Sequence, residues 1–276
     1  MKSLLPIFSL LFSAVVLWSC EPGRDENGDF LFGVDPGSGG TPVTASRLLK
    51  KMSSHELNED TGEWEDSDIT YNYTDRKLVS YTENGGEPTV FTYNANNRIS
   101  GLSNSGQSAS FEYSGSTLSK IVTTIPEFAT ITSDFTYTNA QLTKTVSVQE
   151  YTFPVPSKLY IETTYAYTGA NMTTATVKSG MYVNGELQLS PEIQVLTFEY
   201  DTKKSPYQLL PREFILFLTG IGPQGAAYLS ANNFTKFTST VGPVSDVSAF
   251  TYTYDSQNYP TLMKGPEEET VKFEYQ

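Results

Sequence analysis

An aromatic residue, any residue, then tyrosine: this unit recurs along the chain as Tyr71-Asn72-Tyr73, Phe91-Thr92-Tyr93, Phe111-Glu112-Tyr113, Phe135-Thr136-Tyr137, Tyr165-Ala166-Tyr167, Phe198-Glu199-Tyr200, Tyr252-Thr253-Tyr254 and Phe273-Glu274-Tyr275. Side chains two apart on a β-strand share a face, so both rings of a unit point one way and the residue between them points the other. Those middle residues are mostly Thr, Glu and Asn. Most copies run into a short polar segment, and an apolar residue returns five positions past the tyrosine, at Leu78, Leu118, Leu142, Met172 and Tyr259. That spacing predicts a strand, a tight turn and a returning strand. Turn formers stand where the turns belong, at Asp75-Arg76, Asn94-Ala95-Asn96-Asn97, Ser114-Gly115-Ser116, Thr138-Asn139 and Thr168-Gly169-Ala170. Asn184-Gly185 is a two-residue hairpin signal.

Hairpins at this spacing predict a mainly β fold, an antiparallel up-and-down meander of about 14 strands that must curl to bury a one-sided aromatic face. A bilayer-spanning barrel needs sustained apolar residues outside and a polar lumen. The strands carry no such outward run, so the aromatics are read as inward, in a soluble barrel or half-barrel. One segment breaks the alternation: residues 206–220 include Tyr207, Leu209, Leu210, Phe214, Ile215, Leu216, Phe217 and Leu218, apolar nearly all round. It is too short to cross a bilayer. It is expected as one short apolar helix around which the sheet closes, with Pro211 in its first turn.

The N-terminus has a different character. Residues 4–17 form an apolar run behind Lys2, shorter than the roughly 20 residues of a membrane span. The run ends in Leu17-Trp18-Ser19-Cys20, which resembles a bacterial lipobox. Cys20 is the only cysteine and has no disulfide partner within the chain, so it is read as a lipidation site carrying palmitate-type acyl chains. Residues 1–19 are then a lipoprotein signal peptide. Residues 20–46, with Glu21, Asp25, Glu26, Asp29, Asp35, three prolines and Gly37-Ser38-Gly39-Gly40, read as an acidic Gly/Pro-rich tether. Acids directly behind the cysteine resemble the surface-export signals of Bacteroidetes lipoproteins. Residues 47–276 form a single β-meander domain. The expected location is the outer membrane, lipid-anchored, at the cell surface or on the periplasmic face. The chain has 18 Lys and Arg against 31 Asp and Glu, a formal charge of -13. That balance argues against nucleic acid and against anionic headgroups as partners, leaving the acyl chains on Cys20 as the membrane contact.

Longer stretches carry a family resemblance. Tyr252 to Thr261, the apolar segment behind Lys203-Lys204-Ser205-Pro206-Tyr207, and Ser230-Ala231-Asn232-Asn233 before a strand together resemble a family of Bacteroidetes lipoproteins of unknown function with a porin-like fold. The likeness runs from about residue 46 to residue 276. Shorter units such as Phe91 to Ile99 also resemble the tyrosine-aspartate repeats of Rhs-type shell proteins. Neither resemblance implies catalytic residues at particular positions.

Catalytic groups are scarce. His55 is the only histidine, and no Gly-x-Ser-x-Gly elbow accompanies it, so a serine triad has no foundation. The acidic cluster Glu59, Asp60, Glu63, Glu65, Asp66 and Asp68 offers Asp60, Glu63 and Asp66 as calcium candidates, though at a spacing unlike an EF-hand loop. No cofactor is expected. Two function classes stay open. One is a non-enzymatic envelope module that binds a glycan, an envelope protein or a small apolar ligand. The other is a carboxylate-dependent glycan hydrolase with groups on loops such as residues 152–157 or 243–246. The anchor itself is testable: Cys20→Ala should abolish incorporation of labelled palmitate and move the protein from the detergent to the aqueous phase on partitioning. Equal labelling of both proteins would refute the lipobox reading.

Overall fold

Period-two alternation carries through nearly every strand, and the fold follows from where it is broken. The computed structural model describes residues 47–58 and 62–276; Cys20, the tether and Asp60 lie outside them. Seventeen strands form one sheet. In chain order they are β1 (Leu49–Asn58), β2 (Glu63–Thr74), β3 (Lys77–Glu83), β4 (Thr89–Tyr93), β5 (Ile99–Ser103), β6 (Ser108–Ser114), β7 (Thr117–Ile125), β8 (Ala129–Thr138), β9 (Gln141–Tyr151), β10 (Ser157–Thr168), β11 (Asn171–Val183), β12 (Glu186–Lys204), β13 (Asn232–Val241), β14 (Val244–Ala249), β15 (Thr251–Tyr254), β16 (Pro260–Lys264) and β17 (Thr270–Tyr275). Neighbours in sequence pair antiparallel, β14 and β15 excepted, and β1 pairs with both β2 and β17, which brings the sheet round into a nearly closed barrel. Strands β14 and β15 follow one another in line, separated by Phe250, whose N–H bonds the Thr235 carbonyl at 2.9 Å. The count exceeds the expected 14 or so partly because that arm is split. Short strands of four or five residues, such as β4, β5, β15 and β16, also give little sequence signal.

Turns alternate between the two ends of the barrel. One end, here called proximal, holds the turns that follow the aromatic units together with Arg47, where the described domain begins. The Asp75-Arg76, Asn139-Ala140 and Asn184-Gly185 turns all have positive φ at both central residues, the backbone of a type I′ hairpin, whose twist matches that of the flanking strands.

Each aromatic unit divides its rings between two tasks. The first ring is core: Tyr71, Phe91, Phe111, Phe135, Tyr165, Phe198 and Phe273 are all buried. In five of the eight units the second ring, a half-buried tyrosine at the proximal rim, donates its hydroxyl to a carbonyl of the adjacent hairpin. Tyr73 bonds the Leu49 carbonyl (2.8 Å), Tyr93 that of Leu78 (2.6 Å), Tyr113 that of Ile99 (2.6 Å), Tyr200 that of Met172 (2.5 Å) and Tyr275 that of Pro260 (2.6 Å). In four of these five the acceptor opens a returning strand and lies opposite the preceding unit's tyrosine, beside a register shift. A bulge disturbs the ladder and sharpens the local twist, and the tyrosine supplies a donor beside it. At Tyr252-Thr253-Tyr254 the roles shift: Tyr252 bonds the Phe234 carbonyl at 2.8 Å, and Tyr254 donates to the Asp201 carboxylate.

The chain leaves β12 at the proximal rim and turns into the lumen. Pro206–Gln208 forms a 3-10 turn, α1 spans Arg212–Ile221, and a second 3-10 segment spans Pro223–Leu229. The expected buried helix is present but shorter than the apolar segment, since Pro206 and Pro211 interrupt it. Pro211 is the N-cap of α1 with φ -66° rather than a first-turn residue, a place where its missing N–H costs nothing. Leu210, Phe214, Ile215, Leu216, Phe217 and Leu218 are buried among the barrel aromatics. The Phe214 ring lies 5.1 Å from that of Phe91, edge-on, and 5.2 Å from that of Tyr81. The far end of α1 is pinned by hydroxyls, the Gly220 carbonyl accepting from Ser147 at 2.9 Å and from Ser133 at 3.5 Å.

Outside, the same alternation leaves a wall that carries ion pairs, with exposed apolar residues such as Val90, Ile193 and Val247 among them. Lys144 and Lys178 flank Glu162 at 2.6 and 3.7 Å, and Lys120–Asp134, Lys158–Glu150 and Lys236–Glu199 pair across other strands. Ion pairs distributed around the wall are the reverse of the apolar band that a lipid-facing barrel presents.

Two substitutions test this architecture. Tyr93→Phe removes one rim hydrogen bond without changing the ring, and urea denaturation should show a loss of about 1–2 kcal/mol. Gly220→Ala would set a methyl group 2.9 Å from the Ser133 Cβ and closer still to its Oγ. Overpacking of that kind should lower stability by about 1–3 kcal/mol, and adding Ser133→Gly should recover most of it.

Candidate functional site

The barrel interior changes character along its axis. Its proximal half is filled by α1, the two 3-10 segments and the aromatic rings. Towards the distal end the inward positions become polar: Ser54, Thr89, Gln107, Thr123, Gln149, Thr163 and Ser239 are all buried. Most find partners within the layer. Asn104 Nδ2 donates to Thr89 Oγ1 at 2.9 Å, the Tyr151 hydroxyl to Gln149 Oε1 at 2.9 Å, and Gln194 Nε2 to Ser239 Oγ at 3.0 Å. Gln107 is the exception: only 6% exposed, it leaves its Oε1 without a hydrogen-bond partner. A buried, unanswered amide oxygen costs about 1–3 kcal/mol, so it marks a place where a donor from outside the protein would be welcome.

Carboxyls lie at the mouth above this layer. Glu56 continues the inward phase of Met52 and Ser54 on β1, and burial together with the facing Glu269 pushes its pKa up to about 7, against a hydrogen bond from Ser54. Glu83, in phase with Tyr81 on β3, is raised to about 7 by burial. Glu65 pairs in register with Glu56 and accepts from Asn58 Nδ2 at 2.6 Å. The mouth therefore offers carboxyls of raised pKa, hydroxyls and amides, a surface of donors and acceptors.

The residues singled out from sequence fall elsewhere. Glu63 shares the inward phase of Glu65, whereas Asp66 points to the outer wall, where it bonds His55 Nδ1 at 2.7 Å. Opposite phase on one strand separates the two calcium candidates, and among the described residues no three acid, histidine or cysteine side chains could hold a metal ion. His55 also stacks on Trp64, the ring centroids 4.6 Å apart and the planes within 4°. It is thus held on the outer wall, away from the interior. Residues 152–157 contain no acid and expose Phe153 and Val155. The carboxyls at this end come from three segments: Glu56 on β1, its register partner Glu65 on β2, and Glu269 just ahead of β17, which acts on Glu56. Their signal was available in the sequence as a polar residue at an inward position of an alternating strand, as was that of Gln107, in phase with Ala109 and Phe111.

Geometry thus defines a plugged, nearly closed antiparallel β-barrel with a polar mouth at one end. Among solved structures the chain is similar to a porin-like protein from Bacteroides uniformis ATCC 8492, with 14% identity, a TM-score of 0.52, and coverage of 83% of this chain and 96% of that one. It is also similar to a porin-like protein from Bacteroides vulgatus ATCC 8482, with 12% identity, a TM-score of 0.54, and coverage of 83% and 98%. At these identities the likeness is one of fold. No protein-family model and no curated protein matches the sequence.

The raised carboxyls predict a pH dependence of stability. An unfolded-state glutamate titrates near 4.3, so between that value and about 7 the folded protein holds protons that the unfolded chain has lost. Stability is fully present below that window and falls as pH rises through it. Glu56→Gln should flatten the decline and leave the variant more stable than wild type at pH 8 by ~1–2 kcal/mol, a figure reduced for solvent screening at the mouth. Thermal melts at pH 5 and pH 8 would check it.

Proposed function

We propose that this chain is a non-enzymatic binding module of the bacterial envelope, held to a membrane by acyl chains on Cys20 and the tether of residues 20–46. The occupied lumen carries the reading: α1 and the aromatic rings close the proximal half of the barrel, so it conducts nothing through its axis. What remains for function is the distal mouth, where inward hydroxyls, amides and carboxyls of raised pKa suit a polyhydroxylated ligand such as a glycan. The ion-paired outer wall leaves anchoring to the lipid. The porin-like description of the similar Bacteroides structures agrees with an envelope setting.

A second reading rests on one observation. Glu56, raised to about 7 by burial and by the facing Glu269, sits beside a second carboxyl, and a raised acid next to another carboxyl is what an acid–base hydrolase requires. Incubation with envelope polysaccharides separates the two. A binding module should retain glycan and release it uncut, with retention weakened about tenfold or more by Gln107→Leu. New reducing ends that disappear in both Glu56→Gln and Glu269→Gln would establish the hydrolase instead. Protease treatment of intact cells adds the orientation: digestion of the barrel from outside indicates the cell surface, protection the periplasmic face.

A further inference from the structure

The meander sorts charge by end. Arg47, Arg76, Lys77, Arg98, Lys203 and Lys204 all stand on or beside proximal turns, where the acids are Asp75, Asp201, Asp255, the α1 residue Glu213 and Glu274, the last paired with Lys50. Distal turns and the strand ends beside them carry Glu63, Glu87, Glu127, Glu186, Glu192 and Glu267, with Lys158 and Lys264 nearby. Lys77, Arg98 and Lys203 are held in place by uncharged groups that leave their charge uncancelled. Lys77 Nζ sits 3.6 Å from the Tyr93 ring centre, Arg98 lies 4.4 Å from that of Tyr113 and donates to the Gly115 carbonyl, and Lys203 donates to Asn258 Oδ1 at 2.9 Å. Arg47 pairs with Asp255. Arg76 and Lys204 are exposed.

We propose that the proximal rim is a docking surface for anionic lipid headgroups, so that the barrel stands on a membrane with its polar mouth facing away. Two observations choose this occupant. The rim is the one end of the molecule where cations gather. The preceding chain also joins the barrel there, Leu48 being tied to Gln276 by hydrogen bonds in both directions (2.8 and 2.9 Å). The formal charge of -13, which argues against such a partner for the chain as a whole, does not oppose it locally. A ten-residue strand such as β8, rising about 3.3 Å per residue and tilted, sets the two rims roughly 25 Å apart, about three screening lengths at physiological salt. A surface touching the proximal rim therefore responds to the nearby cations and hardly at all to the distal acids.

Rim docking goes beyond the acyl anchor, and the two are separable by experiment. Full-length protein, with Cys20 intact and as Cys20→Ala, is titrated with phosphatidylcholine vesicles and with vesicles containing phosphatidylglycerol, at low and at high salt. The expected result is a preference for the anionic vesicles in both proteins that high salt abolishes. Each lysine or arginine at such a surface strengthens binding about fivefold, so the variant Arg76→Gln/Lys203→Gln/Lys204→Gln should lower the preference roughly a hundredfold. Hydrogen exchange should slow at residues 94–98 and 255–258 on anionic vesicles and stay unchanged at residues 84–87. Loss of binding to neutral vesicles in Cys20→Ala alone bears on the anchor and leaves docking intact. Docking is overturned if there is no anionic preference, if the preference survives the triple variant or high salt, or if exchange slows at the distal turns instead.

Discussion

A tyrosine hydroxyl given to a backbone carbonyl of the adjacent hairpin is the interaction on which the barrel depends. A long antiparallel meander twists, and to close it must also bend in a regular way. Here the bending comes from bulges at the proximal ends of the hairpins, and a bulge leaves ladder groups without their usual partners. The rim tyrosines meet that need in turn: Tyr93 bonds the Leu78 carbonyl opposite Tyr73, and Tyr113 bonds the Ile99 carbonyl opposite Tyr93. These hairpins are thus tied to the ones before them through a side chain as well as a ladder. Tyr137 shows the limit of the pattern. Its buried hydroxyl has no partner, at the place where the Arg212 and Glu213 charges at the start of α1 come near.

Closure produces an interior, and the filling of that interior decides what the barrel can be. A ring of this many strands encloses enough space for a channel unless something occupies it. Residues 206–229 occupy the proximal half, reached from the end of β12 and pinned by Ser133 and Ser147 at Gly220. The distal half is lined instead by hydroxyls, amides and glutamates. The result is a barrel with an apolar half and a polar end.

Much of this was legible in the chain. The aromatic units marked the strands, the Asn184-Gly185 pair gave its hairpin, and the loss of alternation at residues 206–220 located the plug, because burial on one face and burial all round leave different periodicities. Other features required partners distant in sequence. The strand count rose to 17 through four- and five-residue arms too short to show a period. Pro211 moved outside α1 because a second proline had already broken the segment. The acidic stretch near residue 60 offered calcium candidates at a spacing unlike an EF-hand loop, and alternation along β2 turns Glu63 inward and Asp66 outward.

The sequence by itself determined the local grammar: which residues form strands, which ring of each unit turns inward, where the chain reverses, and which segment belongs inside. All of these depend on neighbours within a few residues. Only the tertiary structure decided what the ends of the barrel are. Glu56 and Glu269 are more than two hundred residues apart in sequence and meet because β17 closes onto β1. The cations of four separate segments gather at one rim because an up-and-down meander returns every second turn to the same end. Net charge is a sum over composition and is blind to that sorting. The path of the chain through space performs it.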